Sequence, residues 1–220
     1  MPLRERYLSI LWPLLAVLIA ISCWFGVKAG GDNLLQNNTA RNGIVSLACA
    51  GNVTDAQRII DSWKHQVPER RSQAYIEKQN VVSRWFSNQG RPLTDVARRS
   101  LLFDLFFIVF YASAMAVACL LAATEIHCRS RKPRRRLVAL GMHLARLQIV
   151  TACFDLIENV ALWRMLSAPL SNPWPAIAYV SSIAKFSLLA VSVVYIFIAF
   201  FFWVVDHRRR PVRRTLPATT

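Results

Sequence analysis

The chain has 220 residues, 55% of them hydrophobic, only seven glycines, and a net charge of +15. Its apolar residues come in blocks of about eighteen or more, enough to cross a hydrocarbon core of about 30 Å as helices, which excludes an ordinary soluble domain. The basic excess does not imply nucleic acid, because the bases gather at the ends of the apolar blocks with no zinc-finger spacing, RNA-binding motif or basic–aromatic platform beside them.

Residues 1–7 form a short N-terminal stretch with Arg4 and Arg6, and the first predicted membrane helix covers 8–27. The stretch VKA at Val27–Ala29 resembles a weak signal-peptide cleavage site. The apolar run before it exceeds the usual length of about seven to fifteen residues, so a retained anchor is expected.

Residues 28–100 are too polar to span and too long for a turn. Within them GNVTDAQRIIDSWKH predicts a helix, with Thr54 and Gln57 spaced as a capping box and Ala56, Ile59, Ile60 and Trp63 on one apolar face. The stretch AYIEKQNVVSRWF is a poorer helix, set off by Pro68 and ended by NQGRP. Two readings stay open for this segment. It is either an amphipathic cap on the membrane surface or over the bundle mouth, or a spacer folded against its own helix ends.

The second predicted span is 101–123, followed by a basic loop at 124–136. The third is 137–166, a short connection follows at 167–173, the fourth span is 174–205, and 206–220 form a basic tail. No strand-like alternation competes, and helices satisfy their own backbone polar groups in lipid. The predicted fold is therefore an all-α integral membrane protein, a bundle of four transmembrane helices with a long, partly helical extracytoplasmic loop between the first and second.

Four spans place the N-terminus, the 124–136 loop and the tail on one side. The first has Arg4 and Arg6, the stretch RSRKPRRR six bases and the stretch HRRRPVRR five, against Glu5 alone. The positive-inside rule makes that side cytoplasmic, in a plasma or bacterial inner membrane, with anionic headgroups facing the bases. The many bases of 28–100 weigh little, since long loops translocate largely regardless of charge.

The third span carries the candidate chemistry. Gln148, Thr151, Asp155, Glu158 and Asn159 recur at helical spacing as one polar stripe, while Ile149, Phe154, Leu156 and Val160 lie off it. Such a stripe is expected to face other helices or a water-filled cavity. The fourth span offers Lys185, with Ser181, Ser182 and Ser192 near it, and the second offers Asp104 and Tyr111, seven residues apart. Rough depths place these groups together in the outer half of the bundle.

Asp104, Asp155 and Glu158 outnumber Lys185 by two charges if all are ionised, a large cost in low dielectric. Three compensations are available: a protonated carboxyl, an arginine such as Arg98 or Arg99 folding in, or a bound cation or basic ligand. The plainer reading is interhelical glue, for which two carboxylates on one lysine are more than is needed. The site residues predicted for ligand or proton binding are Asp104, Tyr111, Thr151, Asp155, Glu158, Asn159 and Lys185.

No catalytic residue or cofactor is identified. There is no HExxH, Gly-x-Ser-x-Gly or phosphate-cradling glycine loop, and the Gly-rich surroundings of an intramembrane aspartyl protease are missing. Glu125, His127, Cys128, Asp206 and His207 are metal-binding types without a ligand spacing, so no metal is expected. The five cysteines contain no CxxC pair, and a Cys23–Cys49 bridge is the one pairing to weigh.

The first functional expectation is a non-enzymatic membrane protein that binds a proton, a cation or a small basic or amphiphilic ligand. As a transport unit it would need a homodimer or a membrane-protein partner, and no internal repeat is visible. The alternatives are a membrane enzyme with a carboxylate general base acting on a lipid-like substrate, and an assembly subunit whose polar stripe docks a partner helix.

Overall fold

In a computed structural model the described residues are 3–29, 35–64, 93–129 and 135–208. They form six helices and no strand: α1 (Leu3–Ala29), α2 (Ile44–Ala48), α3 (Val53–Lys64), α4 (Leu93–Arg129), α5 (Arg135–Ser167) and α6 (Trp174–Arg208). The poorer helix expected in AYIEKQNVVSRWF, most of the RSRKPRRR loop and the end of the tail lie outside the described residues.

Four helices, α1, α4, α5 and α6, are long and apolar enough to cross a membrane. Their outward faces are apolar in the way lipid requires. Phe106 and Val109 on α4, Ile149 and Val160 on α5, and Phe197 and Phe201 on α6 are all more than half exposed. Water would not tolerate so continuous an apolar surface on a monomer.

The four are not equivalent. Helices α4, α5 and α6 pack on one another, whereas α1 packs chiefly on α4. Phe25 stacks on Phe106 and Phe110 with ring centroids 5.3 and 5.5 Å away. Gly26 leaves room for the Phe107 ring, which a Cβ there would meet at 3.1 Å. Ser22 is the one buried residue among the described side chains of α1, and its hydroxyl donates to the Leu18 carbonyl of its own helix.

Helix α4 begins at Leu93, two turns before the expected start of the second span, and its 37 residues extend about 55 Å, well beyond a bilayer core. Asp95, Arg98 and Arg99 make this first part too polar to read as membrane. Its other face carries Leu93, Val96 and Ala97, which join Leu35, Leu47, Ile59, Ile60 and Trp63 in one buried cluster. The ends of α5 and α6 complete that cluster with Ala161, Leu162, Met165 and Ala178. The Trp63 indole N–H donates to the Leu35 carbonyl at 3.0 Å, so this large side chain is buried without an orphaned donor. The apolar face of α3 is thus covered by protein, and the segment 35–64 folds onto the helix ends as a cap.

The expected α3 residues are helical, with a different start. Asn52, not Thr54, caps the helix: its Oδ1 accepts the Asp55 amide at 2.8 Å and its Nδ2 donates to the Asp55 carboxylate at 2.8 Å. Gln57 instead donates to Asp61 at 2.8 Å. Cys23 and Cys49 are free thiols.

At the far end of the α4–α5–α6 core, the three helices meet at Gly141. A Cβ at that position would collide with the Tyr195 hydroxyl and ring and with Ala123. Only glycine admits so close an approach.

Candidate functional site

The polar stripe of α5 faces inward throughout. Gln148, Thr151, Asp155, Glu158 and Asn159 are all buried, while Ile149, Leu156, Ile157 and Val160 are exposed. The 3–4–7 spacing forces this division once α4 and α6 cover one side of α5.

Lys185 reaches across from α6. Its Nζ lies 2.5 Å from Asp155 Oδ1 and 2.7 Å from Glu158 Oε2. The first contact is a hydrogen bond, and the second is an ion pair without hydrogen-bond alignment. From α4 the Tyr111 hydroxyl donates to Asp155 Oδ2 at 2.7 Å, so both oxygens of Asp155 are engaged. Beside this group the Asn159 amide donates to Asp104 Oδ2 at 2.6 Å. The Lys185 and Asp155 side chains are 11% and 3% exposed, so water screens their pairing little.

Six of the seven predicted site residues therefore fall into two polar groups on facing helices, joined by hydrogen bonds and ion pairs. Tyr111, Asp155, Glu158 and Lys185 form one, and Asp104 with Asn159 the other. Thr151 differs: it is fully buried, but its hydroxyl donates to the Leu147 carbonyl of its own helix at 3.2 Å.

Arg98 does not fold in toward Asp104. Its guanidinium donates to the Leu166 carbonyl at 2.6 Å and to Asp95 at 3.2 Å, because the C-terminal carbonyls of α5 lack helix partners and attract a cation. Arg99 lies over the Phe103 ring, 5.9 Å from its centroid.

A second polar layer lies farther along the same interface. The Gln148 amide donates to Ser192 at 2.8 Å and to the Leu144 carbonyl at 3.2 Å. Tyr195, 3% exposed, follows on α6, and neither its hydroxyl nor Gln148 Oε1 has a hydrogen-bond partner among the described residues. Tyr195 is absent from the predicted site. Its position three residues after Ser192 was the available signal, masked by the aromatic run YIFIAFFFW.

A cavity of about 510 Å³ opens at the capped end, lined by Gln57, Lys64, Arg98, Met165 and Leu166 among others. None of the cluster residues lines it. Among the described residues no set of three or more His, Cys, Asp or Glu is placed to hold a metal ion.

Chemically, the cluster offers three carboxylates, one ammonium, and two neutral donors from Tyr111 and Asn159. The donors satisfy oxygens without adding positive charge. Comparisons of the chain with protein families, with characterised proteins and with solved structures return no match.

Proposed function

We propose that this multi-pass membrane protein binds a proton in its buried carboxylate–lysine cluster. One observation carries the reading: Lys185 serves both Asp155 and Glu158, while among the described residues Asp104 receives a hydrogen bond only from the neutral Asn159 amide. Two uncompensated negative charges among packed helices would cost several kcal/mol. A proton on a carboxyl removes one of those two charges with no added volume, which suits groups already in hydrogen-bond contact. Asp104, facing a neutral amide, is the carboxyl that best accommodates it.

The same reading sets the protein in a plasma or bacterial inner membrane with both termini and the RSRKPRRR loop in the cytoplasm, against anionic lipid. The cap then lies outside, on the side of Asp104.

Infrared spectroscopy of the protein in nanodiscs at neutral pH tests this. A protonated carboxyl gives a C=O stretch separate from the carboxylate bands. The band is expected in the wild type and is expected to vanish in Asp104→Asn or Glu158→Gln variants that keep their helical circular dichroism. A wild-type spectrum with no protonated carboxyl would overturn the proposal.

A further inference from the structure

We infer that the polar groups between α4, α5 and α6 form a path for protons through the full thickness of the membrane. This rests on the proton-binding reading and extends it from a site to a route.

The geometry comes first. Asn159 marks the level of Asp104 near the cap, and Gly141 marks the level of Tyr195 at the other end. These positions on α5 are eighteen residues apart, about 27 Å along the axis at about 1.5 Å per residue. A hydrocarbon core is about 30 Å thick. Interhelical glue needs polar contact at one depth only. Here buried polar groups recur within every four residues of α5 from Asn159 to Gln148, and Ser192 and Tyr195 on α6 extend them toward Gly141, where Tyr195 packs among Cys119, Leu144 and Ala145.

The chemistry of the second layer supports the same route. A buried polar atom without a partner costs about 1–3 kcal/mol. Among the described residues Gln148 Oε1 and the Tyr195 hydroxyl both lack a partner at the α5–α6 interface, on side chains at most 3% exposed. Each is able to take part in a hydrogen bond that forms only while a proton passes.

The transfers balance simply. A carboxylate oxygen of Asp104 takes up a proton at the capped side and releases it to the Glu158–Asp155 pair held by Lys185. Thr151 and Ser192, whose hydroxyls donate at rest to the Leu147 and Leu188 carbonyls of their own helices, and then Tyr195, each turn to accept one proton on oxygen as each releases its own toward the basic end. Gln148 is a positioning residue, because its amide holds Ser192 in line. No covalent bond changes other than O–H, and no oxidant or reductant is needed.

The experiment uses purified full-length protein in liposomes loaded with a pH-sensitive dye, driven by a potassium diffusion potential. Wild-type vesicles are expected to change internal pH faster than protein-free vesicles. Tyr195→Phe and Ser192→Ala are each expected to slow that change by at least roughly tenfold, as losing a positioned proton-transfer group does. Both variants should keep the infrared band of the protonated carboxyl, whereas Asp104→Asn loses band and flux together. If wild-type vesicles leak no faster than protein-free ones while the band is present, the route is wrong and the binding site stands. Unchanged flux in both Tyr195→Phe and Ser192→Ala also overturns the route. Loss of band and flux in the wild type removes both proposals.

Discussion

Asp155 uses one oxygen on Lys185 and the other on Tyr111, so three helices meet at a single carboxylate. Removing the cation leaves Asp155 and Glu158 buried side by side with no cation beside them among the described residues. Lys185→Met is therefore expected to lose about 3 kcal/mol of stability, read as a lower thermal midpoint in nanodiscs. Adding Glu158→Gln should restore part of that loss, because one of the two stranded charges is gone. A double variant no more stable than Lys185→Met would disprove the pairing. At this scale the sequence was informative about membership and weak about partners. Helical spacing put Gln148 to Asn159 on one face, and depth counting brought Asp104, Tyr111 and Lys185 to it. Which donor met which oxygen depends on rotamers and helix rotation, and spacing does not encode those. Thr151 illustrates the limit: it lies on the stripe, yet its hydroxyl turns back to its own helix.

The elements differ most from expectation where a helix outlives the membrane. Asp95, Arg98 and Arg99 mark the start of α4 as polar, and hydropathy alone moves the boundary inward to 101. The helix continues because its other face meets α3, a tertiary contact between parts of the sequence separated by about thirty residues. The close junction at the opposite end was equally hidden. A single glycine in GMH reads as a mild helix defect, and only the packed neighbours show why it is needed. Gly141→Ala is expected to lower the thermal midpoint by several degrees, since the new methyl group meets Tyr195 and Ala123. Tyr195→Phe removes the nearest colliding atom, so the double variant should recover part of the loss. Additive losses would mean that the two residues do not share this contact.

For the whole molecule, the charge pattern and the fold divide the chain into a capped end and a basic end. Cys49 is exposed on the cap, and Cys153 is exposed on the apolar outer face of α5. In a variant keeping Cys49 alone, a membrane-impermeant maleimide is expected to label intact cells from outside. Labelling only after the membrane is opened would reverse the proposed topology. The span count was legible because lipid imposes length and composition directly. The unequal roles of the four helices were not, since α1 matches the others in apolarity and differs only in what it touches.

That inequality bears on how the protein is made. Helix α1 leaves the ribosome before the other described helices, and its main partner, α4, starts only at Leu93. It must reside alone in lipid while the cap segment is synthesised, and its high hydropathy fits it for that wait. The helices that follow have the opposite problem. Asp104, Asp155 and Glu158 are synthesised before Lys185, the ammonium that pairs two of them. A nascent chain halted between α5 and α6 would carry three carboxylates and no intramembrane counterion. Completion of α6 is then the moment at which Asp155 and Glu158 first meet their cation.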